Sequence, residues 1–448
     1  MFVGIELFIM SNKFLLNLKK KIKSKSLTVG VVGLGYVGLP LVIRFSEVGF
    51  KVIGFEIDKK KITALNKGIS FISHIDSKKI KKAKRKQFFA TNDFSLISKT
   101  DVIIICVPTP INKNKKPDLS FIKDSLRKCR NYFCQGQLLC LESTTYPGTT
   151  EEIIVTAIKN LNLQVGKDFF VSYSPEREDP GNKSFSTKKI PKLVSGHTKN
   201  CTKISSILYS SIIDQIVTMS SPRIAEFTKL LENIHRSVNI GLMNEMKLVA
   251  QKLNINIYEA IEAASTKPFG FTPYQPGPGV GGHCIPVDPY YLSWTAKRYK
   301  AKTQLLDIAT QINDRMPKII FKKTLDFINK KNLSYKNLKV LIIGVAYKKN
   351  IDDLRESPSL EIMKLFESKK VSTDYIDPYV PKIFLKNTKK NKTLYSINMR
   401  DIPAKKYDLA LILTAHDNVR HEKLSRHIKY IIDTRNSIDF KSENVIDL

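Results

Sequence analysis

A single cysteine lies in a stretch of the chain that is almost bare of side chains. Residues 276–284 are Pro-Gly-Pro-Gly-Val-Gly-Gly-His-Cys, and Asp288 follows four residues after the thiol of Cys284. Glycine and proline leave room for the phosphates and sugar of a ligand to approach the backbone. A thiol there can act as a nucleophile, although most free cysteines are buried structural residues. This pattern alone leaves both interpretations open.

A lysine and an asparagine upstream have the spacing of a helix face. Lys229 and Asn233 lie within residues 223–253, whose apolar positions recur with helical periodicity. An ammonium beside an amide can stabilise an oxyanion, and a nearby ammonium favours the thiolate form of a cysteine. For the pair taken alone, a solvated helix face is the simpler interpretation.

A glycine-rich turn near the amino end predicts a dinucleotide-binding site. The hexapeptide Gly-Leu-Gly-Tyr-Val-Gly ends an apolar strand, residues 27–33, and opens a helix. The first glycine permits the tight turn, the second lets a pyrophosphate approach, and the third lets helix and strand pack closely. Amides at the helix start would bind the phosphates. The residues of this fingerprint are Gly33, Gly35, Tyr36, Val37 and Gly38.

An acidic residue at the end of the next predicted strand favours NAD as the cofactor. Residues 51–56 form this strand and end at Glu56, and Asp58 is a second candidate. A carboxylate can accept hydrogen bonds from a ribose diol and would repel a 2′-phosphate. The pattern therefore predicts NAD rather than NADP.

Polar residues follow three further predicted strands. These strands are predicted for residues 101–107, 137–142 and 169–174. Thr109, Thr144, Glu176 and Arg177 come just after them, with Thr109 expected on the nicotinamide side. The carboxyl ends of parallel strands are where such folds place ligands. Each segment alone is equally typical of a turn or a helix cap.

The alternation of apolar strands and helices predicts an α/β fold with two doubly wound, Rossmann-like units. The long helix at residues 223–253 would join them and is a natural dimer surface. The second unit has no Gly-x-Gly-x-x-Gly, so we expect no second dinucleotide there. Its strands are predicted at residues 339–344, 373–377, 407–414 and 430–434, and its helix at 358–368.

The composition is that of a globular protein with a strong basic bias. The 448 residues are 42% hydrophobic and carry a formal net charge of +33. This length predicts two or three domains. Because the lysines are spread along the chain, we attribute the charge to compositional bias and predict no nucleic-acid partner.

Cysteine usage and hydropathy predict a cytoplasmic protein without a metal. None of the six cysteines forms a Cys-x-x-Cys pair or suggests a disulfide framework. The apolar start, residues 1–10, lacks a basic leader and a cleavage site. No run of about 18 apolar residues occurs, so we predict no membrane insertion.

Together, these motifs resemble the UDP-glucose/GDP-mannose dehydrogenase family from about residue 27 to the carboxyl end. The resemblance implies an NAD-binding domain at 27–222, a central helical dimerisation domain at 223–325 and a UDP-sugar-binding domain at 326–448. It also implies a homodimer or a higher homo-oligomer. Residues 1–26 have no counterpart. The motifs that carry it are residues 33–38, 174–176, Lys229 with Asn233, 279–288 and 353–357.

The resemblance also implies a chemistry in which the C6 alcohol of a UDP-sugar is oxidised twice, with two NAD, to a carboxylate. Cys284 matches the family's nucleophile, which forms a thiohemiacetal and then a thioester. Lys229 and Asn233 match residues that stabilise oxyanions. Asp288 matches an aspartate that helps to activate water, together with Thr144 and Glu176.

Further residues are assigned to ligands by the same resemblance. Arg355 matches an arginine at the cofactor, and Thr109 and Thr144 are also expected to contact the cofactor. Lys348 and Arg435 match cations that contact the UDP-sugar. The remaining residues expected at the substrate are Glu176, Arg177, Lys229, Asn233, Gly279 and Gly281.

The choice of sugar and of function class leaves alternatives. Residues 173–182 and 282–286 resemble most the bacterial members that act on UDP-N-acetylglucosamine, for surface polysaccharides such as capsule or O-antigen. The same site could accept UDP-N-acetylgalactosamine, UDP-N-acetylmannosamine or UDP-glucose, a choice that we expect residues 269–274 to make. A nucleic-acid-binding protein and a non-catalytic nucleotide-sugar sensor are weaker alternatives. One departure is Glu56, where family members often carry aspartate.

Overall fold

The computed structural model describes residues 2–72, 75–178, 187–385, 392–402, 407–438 and 442–447. It divides into two compact units. The first unit comprises Met1–Glu232 and Tyr290–Lys300, and the second comprises Asn233–Pro289 and Ala301–Leu448. The three predicted domains, with boundaries at 222/223 and 325/326, stay a prediction.

The first unit is built on a mainly parallel sheet. Its strand order is β3-β2-β1-β4-β5-β6-β7-β8, and only the β6–β7 pair is antiparallel. The central strands are continuous apolar runs, as expected for parallel strands covered on both faces. The strands are β1 Thr28–Val32, β2 Lys51–Phe55, β3 Phe88–Thr91, β4 Val102–Ile105, β5 Leu138–Leu141, β6 Phe170–Tyr173, β7 Lys192–Gly196 and β8 Ile216–Thr218.

Helices connect these strands in doubly wound fashion. Several begin at side chains that accept a hydrogen bond from the first turn, such as Asp58, Asp76 and Thr198. The helices are α1 Phe2–Lys23, α2 Gly38–Val48, α3 Lys59–Asn66, α4 Ser77–Arg85, α5 Ser120–Cys129, α6 Thr156–Lys159 and α7 Lys199–Ser210. A π-helix at Thr150–Val155 precedes α6, and 3₁₀ turns occupy Phe94–Lys99 and Arg130–Tyr132.

The helix α1 is an addition that the sequence patterns did not predict. Leu15, Leu18 and Ile22 are buried in the core of the first unit. Lys21 Nζ lies 2.6 Å from Asp101 Oδ1, at the start of β4. The chain before the glycine fingerprint therefore packs on the NAD-domain fold.

The predicted long helix is confirmed as α8, Pro222–Lys252. The helical part of the chain continues with α9 Ile257–Ser265, α10 Asp288–Arg298 and α11 Gln304–Lys330. Pro317 lies inside α11, which the sequence patterns did not predict. No described helix has both the length and the apolarity needed to cross a membrane.

The second unit contains a second parallel sheet with the order β10-β9-β13-β14-β15, beside an antiparallel β11–β12 hairpin. The order β10-β9-β13 repeats the order β2-β1-β4 of the first unit, which confirms the predicted pair of Rossmann-like folds. Its elements are β9 Val340–Ile343, α12 Pro358–Ser368, β10 Thr373–Ile376, β11 Lys382–Leu385, β12 Lys392–Tyr395, a 3₁₀ turn Met399–Asp401, β13 Leu409–Ile412, α13 His421–Ser425, β14 Tyr430–Asp433 and β15 Val445–Asp447.

Candidate active site

Each glycine of the fingerprint has the environment that its predicted role requires. Gly33 has φ +91°, and a Cβ there would lie 2.9 Å from the carbonyl oxygen of Cys106. A Cβ on Gly38 would lie 1.9 Å from the carbonyl oxygen of Gly33. The start of α2 therefore packs directly against the backbone of the turn, with no room for a side chain at this position. Gly35 has nothing within 4 Å of an added Cβ. The turn is therefore closed by Gly33 and Gly38 and open at Gly35, where a pyrophosphate would lie.

The amino end of α2 has no side-chain cap. Val37 occupies the N-cap position and makes no side-chain hydrogen bond, while Tyr36 and Val37 pack partly buried against the core. Uncapped amides at a helix start attract anions. The loop and the helix end therefore fit the phosphates of a dinucleotide.

The carboxylate of Glu56 is fixed by backbone amides. Oε2 accepts a hydrogen bond from Leu34 N at 3.2 Å, and Oε1 accepts from Ile57 N at 2.8 Å and Asp58 N at 3.1 Å. Lys61 Nζ lies 3.9 Å from Oε2. This acid thus connects the glycine turn to the end of β2, where a ribose would lie. Asp58 instead caps α3 by accepting from Lys60 N at 2.8 Å.

The segments after β4 and β5 are bonded to each other. Thr109 Oγ1 donates to the carbonyl of Thr144 at 2.7 Å, and Ser143 Oγ donates to the carbonyl of Val107 at 2.6 Å. Thr144 is half-buried, whereas Thr145 is buried and its hydroxyl has no hydrogen-bond partner in the described part of the chain. The predicted residues Thr109 and Thr144 therefore lie together, with Thr145 as a buried hydroxyl that the sequence patterns did not single out.

Glu176 belongs to a buried ionic cluster in the first unit. Lys192 Nζ lies 2.8 Å from Glu142 Oε2 and 3.3 Å from Glu176 Oε2. Tyr209 donates its hydroxyl hydrogen to Glu142 Oε1. The Oε1 atom of Glu176 accepts from the amides of Arg177 and Glu178 at 2.7 and 2.8 Å.

The surroundings move the two carboxylates of this cluster in opposite directions. Burial raises the pKa of Glu142 above its ordinary value, more than Lys192 lowers it. Burial also opposes the charge of Glu176, but Lys192 and the two amides outweigh it and lower the pKa of Glu176. Burial and then Glu176 raise the pKa of Glu178 to about 8. Lys192 and the two amides therefore favour the ionised form of Glu176.

The donors of Arg177 are engaged within the first unit. Arg177 pairs with Glu232, with Nη2 2.7 Å from Oε1, and donates from Nη1 to the carbonyl of Pro191 at 2.7 Å. A contact with substrate remains a prediction. The end of its motif, residues 179–182, lies outside the described residues.

The residues predicted on α8 are both buried. Lys229 belongs to the first unit and Asn233 to the second. Asn233 Nδ2 donates to Asp288 Oδ2 at 2.6 Å. The structure thereby brings together two of the predicted catalytic residues in the second unit.

The loop that carries the thiol turns directly into α10. The carbonyl of Cys284 accepts from the amides of Val287 and Asp288 at 3.1 and 2.8 Å, and the side chain of Cys284 is half-buried. Asp288 is the first residue of α10. These two hydrogen bonds hold the backbone of Cys284 at the start of α10.

Packing within the second unit explains the missing side chains of this loop. A Cβ on Gly281 would lie 2.5 Å from Tyr347 Cβ and 2.8 Å from the carbonyl oxygen of Glu356. Gly279 has φ +131° and approaches Pro317. The amide of Gly282 donates to the carbonyl of Arg355 at 2.8 Å. These glycines therefore let the loop lie against its own unit, and contact with a ligand stays a prediction.

His283 and Arg355 lie near each other beside the thiol loop. Burial, and to a smaller extent Arg355, lowers the pKa of His283 to about 4. Arg355 forms a paired contact with Asp353, with Nη2 2.6 Å from Oδ2. His283 is therefore neutral at physiological pH.

A cavity of about 530 Å³ opens at the carboxyl ends of β9, β13 and β14. It contains both cations that were predicted at the substrate, Lys348 and Arg435. Arg435 is positioned by its Nε, which donates to the carbonyl of Leu413 at 2.8 Å, and by its amide, which donates to Asp433 Oδ1 at 2.8 Å. Other residues that line the cavity are Tyr347, Lys349, Thr414, His416 and Ser437. A cavity with these cations fits a nucleotide diphosphate.

The acid at the end of β10 is used differently from Glu56. Asp377 Oδ2 accepts from the amides of Val345 and Ala346 at 2.8 and 3.0 Å and lies 3.0 Å from His416 Nε2. His416 Nδ1 accepts from the amide of Asn350 at 2.9 Å, so its proton is on Nε2 and points at Asp377. Asp377 Oδ1 accepts from the amides at 379 and 380. The Asp377 carboxylate is thus fully engaged, and the absence of a second dinucleotide from this unit stays a prediction.

Three domain models of one protein family match most of the chain. The NAD binding domain of the UDP-glucose/GDP-mannose dehydrogenase family matches residues 27–213, its central domain matches 223–315, and its UDP binding domain matches 341–440. With the glycine turn and the two Rossmann-like folds, these matches define an NAD-dependent nucleotide-sugar dehydrogenase. The chain belongs to the UDP-glucose/GDP-mannose dehydrogenase family, and its cofactor is NAD.

Relatives with two substrate names align with this chain. It is 32% identical over 424 residues to the UDP-N-acetyl-D-glucosamine 6-dehydrogenase of Pseudomonas aeruginosa, covering 91% of this chain and 98% of the relative. It is 34% identical over 355 residues to the UDP-N-acetyl-D-mannosamine dehydrogenase of Pyrococcus horikoshii, covering 79% and 84%. The structure of the UDP-D-ManNAc dehydrogenase from P. horikoshii superposes with a TM-score of 0.84 at 31% identity, over 94% of this chain and 98% of that chain.

Proposed function

We propose that this dehydrogenase oxidises the C6 alcohol of a UDP-N-acetylhexosamine to the uronate, and that the sugar is N-acetylglucosamine. The observation that carries the proposal is the loop of Cys284, which runs into Asp288 where Asn233 donates its 2.6 Å hydrogen bond. A thiol, a carboxylate and an amide in this order suit aldehyde capture followed by hydrolysis. The name of the P. aeruginosa relative supports the choice of sugar.

NAD, when bound, accepts one hydride in each of the two oxidations. The chain would bind its phosphates at Gly33, Gly35 and Gly38 and its ribose at Glu56. Further contacts proposed from the family are Tyr36, Val37, Asp58, Thr109, Thr144 and Arg355. In the balanced reaction the alcohol, one water and two NAD⁺ give a carboxylate, two NADH and three protons.

Cys284 would divide the four-electron oxidation into two steps. The thiolate attacks C6 of the aldehyde, and the new C–S bond gives a thiohemiacetal whose oxygen takes a proton. Loss of the C6 hydride and of that proton gives a thioester. Water then breaks the C–S bond, which releases the carboxylate and returns the thiol. Because the aldehyde is covalently bound, it does not escape.

Residues around the thiol would supply charge and protons. The Lys229 ammonium and the Asn233 amide would stabilise the oxyanions of both steps. Asp288, with Glu176 and Thr144, would orient and deprotonate the attacking water. Lys348 and Arg435 would bind the diphosphate in the cavity of the second unit. Other proposed substrate contacts are Glu176, Arg177, Gly279 and Gly281.

The same reaction on UDP-N-acetylmannosamine is the second candidate. The observation that favours it is the TM-score of 0.84 with a dehydrogenase named for that sugar. UDP-N-acetylgalactosamine and UDP-glucose complete the set of substrates to be compared. Residues 269–274, which include the exposed Phe269, are the proposed determinants.

We propose a homodimer formed along α8. This helix exposes large apolar side chains, among them Leu231 at 52%, Leu242 at 45% and Val249 at 46%. Burying such side chains stabilises a dimer. A cytoplasmic location, favoured by the six free cysteines, and a role in supplying surface polysaccharide such as capsule or O-antigen complete the proposal.

A substrate panel tests the proposal. The purified chain is incubated with NAD and each of four UDP-sugars, those of glucose, N-acetylglucosamine, N-acetylgalactosamine and N-acetylmannosamine. We expect two NADH per sugar and a uronate product by mass spectrometry, with the highest kcat/KM for UDP-N-acetylglucosamine. A higher kcat/KM for the mannosamine sugar selects the second candidate, and no NADH with any of them contradicts the proposed reaction.

A further inference from the structure

A buried lysine that no part of the sequence analysis singled out lies between two carboxylates of the first unit. Lys192 is the first residue of β7, which pairs antiparallel with β6. Its ammonium reaches the segments after β5 and β6, where Glu142 and Glu176 lie. We propose that Lys192 is a positioning residue for the hydrolysis step, which keeps Glu176 ionised and aimed by anchoring it to Glu142. This inference rests on the proposed function, because it gives Glu176 a part in activating water.

The contacts of the ammonium account for its three protons. Lys192 Nζ lies 2.8 Å from Glu142 Oε2 and 3.3 Å from Glu176 Oε2, and donates to the carbonyl of Pro175 at 3.5 Å. The exposed fraction of the side chain is 5% for Lys192, 0% for Glu142 and 13% for Glu176. The more exposed carboxylate is thus the one expected to act, and the buried one serves as the anchor.

The other atoms of the two carboxylates are also bonded, which fixes their orientation. Tyr209 donates to Glu142 from the α7 side. The amides of Arg177 and Glu178 donate to Glu176 Oε1, so Oε2 is the oxygen that Lys192 orients. Without the ammonium, Oε2 loses its donor and Glu176 can rotate about its terminal bond.

The charge balance gives Lys192 a second role. Two carboxylates that share a dry site cannot both stay ionised at little cost unless a cation lies between them. The ionisable groups that act on Glu176 and Glu142 from the surrounding elements are Lys192, Glu178, Tyr209, Cys106 and Cys140, with Lys79 acting on Glu178. Lys192 is the cation of this set that contacts both carboxylates.

This arrangement makes two substitutions act in opposite directions on Glu176. Lys192→Met removes the neighbouring cation, which raises the pH at which Glu176 ionises. Glu142→Gln removes the competing anion, so that Lys192 pairs with Glu176 alone. The pH at which Glu176 ionises is thereby lowered. If Lys192 only supported the fold, the two substitutions would not shift the ionisation of Glu176 in opposite directions.

The experiment measures the pH profile of kcat for uronate formation in both variants and in the unaltered chain. We expect the acidic limb to move up by about one pH unit or more in Lys192→Met and down in Glu142→Gln. KM for the UDP-sugar should change by a smaller factor than kcat, because Glu176 is proposed to act mainly on the attacking water. Lys188→Met, which removes an exposed lysine 3.3 Å from Asp214, is the matched control and should leave the profile in place.

Further measurements keep the inference testable if Lys192→Met does not fold. The double variant Lys192→Met/Glu142→Gln removes both charges together and should restore folding, with an acidic limb between those of the single variants. Infrared difference spectroscopy against the unaltered chain should detect an additional protonated buried carboxyl at neutral pH in Lys192→Met and none in Glu142→Gln. The inference is overturned if the acidic limbs of Lys192→Met and Glu142→Gln move in the same direction, or if they do not move. An inactive unaltered chain contradicts the proposed function instead, and the infrared comparison still tests the role of Lys192.

Discussion

Asn233 Nδ2 lies 2.6 Å from Asp288 Oδ2, although 55 residues separate the two along the chain. Both side chains are buried in the second unit. Asn233 projects from α8 and Asp288 opens α10, so the hydrogen bond joins these two helices just after the loop of Cys284. The carboxylate that is proposed to activate water is thereby fixed in orientation before any substrate binds.

Removing this bond should slow hydrolysis more than oxidation. In Asn233→Ala the Asp288 carboxylate loses a buried donor, so we expect kcat for uronate to fall by roughly 10- to 1,000-fold, as for loss of an oxyanion donor. Rapid quenching and intact-protein mass spectrometry should detect the acyl-enzyme. Asn239→Ala, on the same helix with its amide bonded to the carbonyl of His235, is the control. Equal loss in both variants would contradict the role of Asn233.

The thiol of Cys284 should be required for the second oxidation. Cys284→Ser replaces the nucleophile by a hydroxyl that is scarcely ionised at neutral pH, so uronate formation should fall by about 10³-fold or more. The NADH-to-sugar ratio and the product mass measure this effect. Cys134→Ser, which changes an exposed free cysteine, is the control. Four-electron turnover by Cys284→Ser would eliminate the thioester mechanism.

The second and third glycines of the turn should respond differently to alanine. In Gly35→Ala the new Cβ meets no protein atom within 4 Å, so the variant should fold and lose NAD binding by about tenfold or more. In Gly38→Ala the Cβ would lie 1.9 Å from the carbonyl oxygen of Gly33, so the first unit should be strongly destabilised. Circular dichroism, thermal unfolding and NAD titration separate the two effects. Normal NAD binding by Gly35→Ala would contradict the proposed cofactor position.

His283 should make the stability of the chain depend on pH. Burial lowers its pKa from the usual 6.5 to about 4, so below pH 6.5 the unfolded chain binds more protons than the folded chain. Stability should therefore fall as the pH falls from about 6.5 to 4 and level off below. The effect is roughly 1 to 3 kcal/mol. Urea unfolding at pH 7.5 and pH 5 should show a smaller difference for His283→Gln than for the exposed control His427→Gln. An unchanged difference would contradict the assignment.

The parts of the fold that could be predicted are those that local patterns encode. Strands β1, β4 and β9 are apolar runs, and a glycine turn follows β1 and β9. Helix α8 keeps helical apolar spacing over its whole length. The edge strands β3 and β8 escaped prediction because their runs are short and carry polar residues, as β8 does with its Ile-Val-Thr sequence. Helix α11 was missed because Pro317 interrupts its pattern, although its ring packs beside Gly279.

The parts of the site that could be predicted are those formed by residues next to each other in the sequence. The glycine turn, Glu56 and the loop of Cys284 are motifs of contiguous residues, so their types and spacing identify them. Lys192 lies 50 residues from Glu142 and 16 from Glu176, and its partners are decided by strand order. A lysine within the apolar stretch Ile-Pro-Lys-Leu-Val was the available signal, because a buried lysine requires partner anions.

The saturated carboxylate of Asp377 has a consequence for redesign. Five donors surround it, from the amides at 345, 346, 379 and 380 and from the His416 ring. Grafting a Gly-x-Gly-x-x-Gly turn after β9 would therefore not be enough to make a cofactor site, since a ribose would compete with five donors for Asp377, against three amides at Glu56. Redesign of the cofactor site is therefore better directed at the first unit, where Glu56 and the glycine turn lie together.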